Sequence, residues 1–197
     1  RMAAICKKHD VLIISDEIHS DIVYDAAHQP MAHYAPNRTI TLNAPSKTFS
    51  ITGLSNAYAI IQNDSLRRAM KHALDTLGFH IANPFSIQAL IAAYEQGEEY
   101  TQDLLASLCQ NRELLLQELT GDIRAIKPEG TFLCWLDCRR LKLDDKALKE
   151  YWINDLGLGL NAGTEFGDAG SGFMRLNFAT PKTNLQTALS RIRRGRA

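Results

Sequence analysis

The chain has 197 residues, enough for one large or two small domains with a real core, since about 70% of the unfolded surface is buried at this size. Lys plus Arg and Asp plus Glu number 22 each, and the resulting net charge of zero excludes an electrostatic footprint for nucleic acid or an anionic membrane. Four cysteines without metal or redox spacing, six histidines without an H-E-x-x-H pattern, and no leader or apolar stretch near 18 residues predict a reduced, cytoplasmic protein without a metal site, whose partner is a small molecule or another subunit.

In chain order, residues 1–9 read as the end of an amphipathic helix with its basic residues late. A β-branched run predicts a strand at 11–15, a polar loop follows through Pro30 and Pro36, and further strands are expected near 39–43 and 58–61. Helical periodicity covers 64–77 and resumes after Asn83, a capping residue, with Pro84 suited to the first helical position. From 98 to 119 the leucines 104, 105, 108, 115, 116 and 119 recur at three- and four-residue steps behind an acidic start, marking one long helix whose apolar stripe is core. Beyond it the expected order is strand (123–126), strand (131–138), helix (about 144–155), short strand, glycine loop, strand (173–178) and final helix, an α+β lobe. Cys134 and Cys138 fall on one strand face with Phe132 and Leu136 and read as small core hydrophobes. The arginines at 191, 193, 194 and 196 oppose the negative end of the last helix. Gly163, Gly167, Gly170 and Gly172 precede a strand, whereas phosphate-binding glycine motifs open a helix, so a turn beside a substrate pocket is the better reading.

Chemistry is expected at the ends of the first two strands, where ligands sit in α/β sheets. Asp16 follows the first run and Lys47 follows the second. Pyridoxal phosphate (PLP) needs a lysine amine to hold it and a carboxylate to keep its pyridine nitrogen protonated, and this pair meets that need. Each residue alone has a plainer reading, Asp16 as a turn former and Lys47 as a solvated surface group.

The stretch S-K-T-F-S-I-T-G-L (46–54), with D-E-I-H-S-D (16–21), resembles the fold-type-I PLP enzymes of the class I/II aminotransferase superfamily. The words G-T-E-F-G (163–167) and R-L-N-F-A-T-P (175–181) are similar to its cystathionine β-lyase, or carbon-sulfur lyase, branch. The resemblance implies an α/β fold, with residues 1–97 forming the C-terminal part of the PLP-binding large domain, a mainly parallel sheet with helices. Residues 98–197 would then be the connecting helix and a small α+β C-terminal domain. It also implies that the phosphate cradle and the ring-stacking aromatic precede Arg1, so this chain alone is expected neither to bind PLP well nor to turn over substrate. A homodimer is implied at full length.

Lys47 would be the catalytic lysine, with Asp16, His19, Ser46 and Lys47 around the cofactor. His19 stands where relatives place a tyrosine, and a cofactor contact and a purely structural bond both satisfy it. Ser46 either orients the phosphate or stabilises the turn. Ser55 occupies a position where aminotransferases carry a phosphate-binding arginine, a departure that favours the lyase branch. Arg175, inside an apolar run, requires an anionic partner, either the amino-acid substrate's α-carboxylate, as the resemblance implies, or a local Asp or Glu. The expected activity is cleavage of cystathionine or a similar cysteine S-conjugate. Two alternatives stay open, an aminotransferase and an aminotransferase-like ligand-sensing domain of a transcription regulator.

Overall fold

A computed structural model of the chain describes residues 1–79 and 83–195. The chain divides into two compact units, Arg1–Asp103 and Leu104–Ala197. Arg196, the last of the terminal basic cluster, lies outside the described residues.

In the first unit the order is α1 (Met2–Lys8), β1 (Ile13–Asp16), α2 (Met31–Tyr34), β2 (Thr39–Asn43), β3 (Tyr58–Ile60), α3 (Asp64–Thr76), α4 (Pro84–Gln96) and the start of α5 (Glu98–Glu118). β1 begins two residues later than the apolar run suggests. The end of α1 takes up the difference: Asp10 adopts a left-handed conformation (φ 51°) and the Val11 N–H bonds back to the Cys6 carbonyl at 2.9 Å, a wrap that consumes Val11 and leaves Leu12 exposed. Among the described residues β1 pairs in parallel with β2, Asp16 opposite Leu42, and β3 runs antiparallel to β2. Helix starts follow local chemistry. The Asn63 side chain caps α3 by accepting from the Leu66 N–H at 3.0 Å, and Asn83 caps α4 through the Phe85 N–H, with Pro84 in the first turn.

The second unit continues through the rest of α5, β4 (Arg124–Ala125), β5 (Leu133–Asp137), α6 (Asp145–Glu150) with a π-helical turn at Tyr151–Asp155, β6 (Asn161–Ala162), β7 (Phe173–Asn177) and α7 (Lys182–Arg194). Among the described residues its sheet runs β4-β5-β7-β6, every pair antiparallel. Strand alternation sets Cys134, Leu136, Met174 and Leu176 on a buried face, while Leu133, Trp135, Phe173 and Arg175 are half-buried on the other. Leu108, Leu115 and Leu119 of the stripe are buried, as are Trp152 and the α7 residues Leu185, Leu189 and Ile192. Two polar side chains interrupt the stripe in the core, Asn111 and Arg112. The Asn111 amide donates to the carbonyls of Phe178 (3.0 Å) and Thr180 (2.8 Å), and Arg112 Nε to that of Pro128 (2.8 Å). Cys134 and Cys138 are buried, whereas Cys6 and Cys109 are half-exposed; burial pushes the Cys134 thiol up to about 11. At the end of α7, Arg191 donates to the Gly157 carbonyl at 2.9 Å and Arg193 pairs with Glu118 at 3.2 Å, so these two cations hold specific partners besides facing the helix dipole. Among the described residues no helix is long and apolar enough to cross a membrane.

Candidate active site

Because β1 and β2 are parallel, their C-terminal ends lie at the same end of the sheet, and the two segments singled out in the sequence leave from that end. They are tied to each other by side chains. Asn43 Nδ2 donates to Ser20 Oγ at 3.0 Å, and the fully buried Thr48 hydroxyl donates to Asp21 Oδ2 at 2.8 Å. Lys47 thus stands between anchored neighbours: Ser46 is buried and its carbonyl accepts from the Thr52 hydroxyl at 3.3 Å, and the Phe49 N–H bonds the Pro45 carbonyl at 2.9 Å. The Phe49 ring meets Tyr94 edge-on (centroids 5.8 Å apart) and stacks on Tyr100 (5.9 Å). Gly97 makes room for that ring, since a Cβ there would collide with it. Ser50 and Ser55 take left-handed backbone angles (φ 55° and 49°), sparsely populated for non-glycine residues and found here on either side of the short 3-10 turn at Thr52–Leu54.

Lys47 is half-buried, and among the described residues its amine has no ion pair or hydrogen bond. Asp16 is exposed; one carboxylate oxygen accepts from the Ile18 N–H at 3.2 Å, so it does shape the turn, and the other carries no bond among the described residues. The Ser46 hydroxyl likewise has no partner among the described residues, while its backbone serves the turn. His19 is half-buried within the turn, its carbonyl accepting from the Ile22 N–H at 3.0 Å.

Glu17 is the residue sequence reasoning passed over. It is buried and accepts from the Ser15 hydroxyl (2.9 Å), His28 Nε2 (2.8 Å) and the Met31 N–H (3.0 Å). Burial pushes its carboxyl up, but the bonds from His28, Met31 and Ser15 together outweigh that and hold it below the ordinary value. Glu17 therefore ties β1 to the far side of the polar loop, fixing the base from which Asp16 and His19 project. The available signal was a second acid beside Asp16 with a histidine eleven positions on.

In the second unit Arg175 lies opposite Trp135 on β5 and Asn161 on β6. Its Nη2 donates to Asn161 Oδ1 at 3.0 Å, its guanidinium sits 4.4 Å from the centroid of the Phe166 ring, and its Nε is buried with no partner among the described residues. The local ion pair that was one option does not form among the described residues. The nearby Glu165 carboxylate instead accepts from Asn161 (2.9 Å) and the Ala162 N–H (3.2 Å); these bonds, with the charges of Lys149 and Arg175, keep its carboxyl low. Asp137 is the buried carboxylate of this unit, gripped by both nitrogens of an Arg139 fork (2.9 and 2.8 Å) and by Arg124 (3.3 Å), which hold it far below the carboxylate range. Arg139 also lies over Phe173, 4.8 Å from the ring centroid. The glycine segment forms two 3-10 turns, Gly163–Phe166 and Asp168–Gly170, packed so closely that a Cβ on Gly163 or Gly170 would strike the other's carbonyl. The first unit thus offers an unengaged amine and a carboxylate at one sheet end. The second offers a cation whose buried Nε–H has no partner among the described residues.

Residues 1–192 match the family model described as aminotransferase class I and II. The chain is 35% identical over 198 residues to protein MalY of Escherichia coli (strain K12), covering 96% of this chain and 50% of that protein. To cystathionine beta-lyase PatB of Bacillus subtilis (strain 168) it is 35% identical over 200 residues, covering 98% of this chain and 52% of the other. A solved structure of a PLP-bound putative aminotransferase from Clostridium difficile 630 superposes with a TM-score of 0.94 at 36% identity, covering 98% of this chain and 52% of that one. The chain therefore spans about half the length of the curated relatives it matches.

Proposed function

The chain belongs to the class I and II aminotransferase family, and on that premise we propose that it supplies the lysine half of the active site of a PLP-dependent enzyme acting on amino acids, a β-lyase for cystathionine or related cysteine S-conjugates. The observation that carries the reading is the unengaged Lys47 amine at the sheet end shared with Asp16. The residues fit the cofactor: a free amine, a carboxylate oxygen without a bond, and the unpartnered Ser46 hydroxyl beside them. Residues 1–97 would belong to the PLP-binding large domain, and 98–197 would be the connecting helix and small domain.

When bound, PLP supplies the electron sink that makes a proton on the substrate's Cα removable. Lys47 would hold the cofactor through Nζ, and the same amine, when free, would take that proton. Asp16 would hold the ring-nitrogen side of the cofactor, Ser46 its phosphate and His19 its phenolic oxygen. Arg175 binds the substrate α-carboxylate, and its spare Nε supports this role because a planar fork pairs a carboxylate through two N–H groups. A homodimer and a cytoplasmic location complete the proposal.

The aminotransferase reading is favoured by the similarity to the Clostridium protein, and product analysis separates the two. In a polypeptide of the relatives' length that ends in these 197 residues, borohydride reduction with PLP should tag Lys47, and cystathionine should release pyruvate faster than any 2-oxo acid receives an amino group. A tag on another lysine sinks the site assignment. Amino transfer without pyruvate sinks the lyase.

A further inference from the structure

The second unit holds a cavity of about 260 Å³ lined by Ile126, Trp135, Phe166, Ala169, Gly170 and Phe173. Its walls are mostly carbon, and two of the large side chains are open to solvent, Phe166 at 48% and Ile126 at 43%. The aromatic rings are ordered against one another, Trp135 edge-on to both Phe166 (5.5 Å) and Phe173 (6.1 Å). Arg175 adjoins this cavity twice over: Trp135 is its cross-strand partner, and Phe166, a wall of the cavity, lies under its guanidinium. A cation with an unsatisfied N–H thus borders an apolar, aromatic recess of single-ring size, somewhat below the volumes that take drug-sized ligands.

We propose that Arg175 and this recess form one two-part site for a carboxylate that carries an apolar or aromatic group, so that among the cysteine S-conjugates of the proposed reaction those with an apolar sulfur substituent are preferred over cystathionine, whose substituent is charged. The inference rests on the proposed reading of Arg175 as the carboxylate-binding residue. The recess adds what that reading lacks, a criterion for the rest of the molecule. Two charged residues beside the recess are already engaged elsewhere. Arg139 is committed to Asp137, and Glu165 to Asn161 and Ala162. A substituent ending in an ammonium and a carboxylate would shed its hydration against carbon and gain no bonds in return, whereas an alkyl or aryl group would bury apolar area.

The chain as it stands permits a binding test that needs no cofactor. Of its two tryptophans, Trp152 is fully buried in the core and Trp135 lines the recess, so ligand entry is read by the fluorescence of Trp135. Titration with 3-phenylpropionate should give a saturable change at a concentration at least about tenfold below that for propionate, the scale of discrimination a hydrophobic pocket provides. The neutral 3-phenylpropionamide should bind less tightly than the acid. Arg175→Gln should weaken both acids, and Phe166→Ala or Phe166→Leu should bring phenylpropionate toward propionate, Phe166 being a half-exposed turn residue whose replacement leaves the core intact. If the two acids bind alike and both depend on Arg175, the carboxylate reading stands and the aromatic subsite is overturned. If the amide matches the acid and Arg175→Gln changes nothing, the carboxylate reading itself is overturned, and the two-part site with it. Absence of any saturable response to phenylpropionate also overturns the proposal.

Discussion

Replacing Asn111 by alanine probes the least expected element of the core. Its side chain is 2% exposed and its amide donates to two carbonyls that leave the end of β7 on the way to α7, those of Phe178 and Thr180. The Phe178 carbonyl keeps a second donor, the Thr180 N–H at 2.9 Å, so losing Asn111 there removes about 1 kcal/mol. The Thr180 carbonyl has no such replacement in the turn, and leaving it unpaired costs about 1–2 kcal/mol more. Asn111→Ala should therefore destabilise the second unit by about 2–3 kcal/mol, and Asn111→Asp by more, since it sets a carboxylate against two carbonyl oxygens. Both tryptophans lie in this unit, so urea unfolding followed by tryptophan fluorescence reports it selectively. The midpoint should fall by about 1–2 M for a domain with an ordinary urea slope. A shift under about 0.3 M for the alanine variant, or an aspartate variant no worse than alanine, would refute the account of these two bonds.

Glu17, with its carboxyl held below the ordinary value of about 4.3, contributes stability that is complete above that pH and is lost as pH falls through its lower folded value. Protection of the Met31 amide from hydrogen exchange, corrected for intrinsic rate, should decline across that acid range, and Glu17→Gln should flatten the decline; an unchanged profile in the variant would show that another group is responsible. Phe49→Ala removes two ring contacts and a half-buried ring, about 2–3 kcal/mol, and should speed exchange at the amide of position 49 roughly 30- to 150-fold, with no acceleration counting against the clamp on the lysine turn. Gly163→Ala should lower the fluorescence-detected urea midpoint by about 1–3 kcal/mol equivalent through its clash with the Gly170 carbonyl, whereas Gly159→Ala, which meets nothing within 4 Å, should be neutral; equal effects would remove the packing argument.

The elements were legible where periodicity is strong. The leucine spacing of α5, the Asn83 and Pro84 start of α4 and the alternation of β5 all act within a few residues, and the chain folds there as those residues demand. The start of β1 was not, because the backbone bond from Val11 to Cys6 that closes α1 competes for the same residues. Placement of Asp16 and Lys47 at one sheet end follows from strand-end logic once β1 and β2 pair in parallel. What stayed hidden depends on distant partners. Asn111 reads as a polar interruption until Phe178 and Thr180 arrive from 67 and 69 positions away, and nothing around Arg175 in the sequence shows that Asn161 and Phe166 will flank it. No local pattern announces such pairings.

The sulfur atoms of this chain form a graded series. With its thiol near 11, Cys134 holds about one molecule in a thousand as thiolate at pH 8, and the reactive species in alkylation and oxidation is the thiolate. Cys6 and Cys109 stand half-open, one in each unit, while Cys134 and Cys138 are sealed. Oxidative or electrophilic damage will therefore accumulate first at the open pair and reach the sealed pair only through excursions that part β5 from its neighbours. The mass of the modified polypeptide becomes a clock: two adducts record exposure to reagent, and the third and fourth record how often the small sheet has opened.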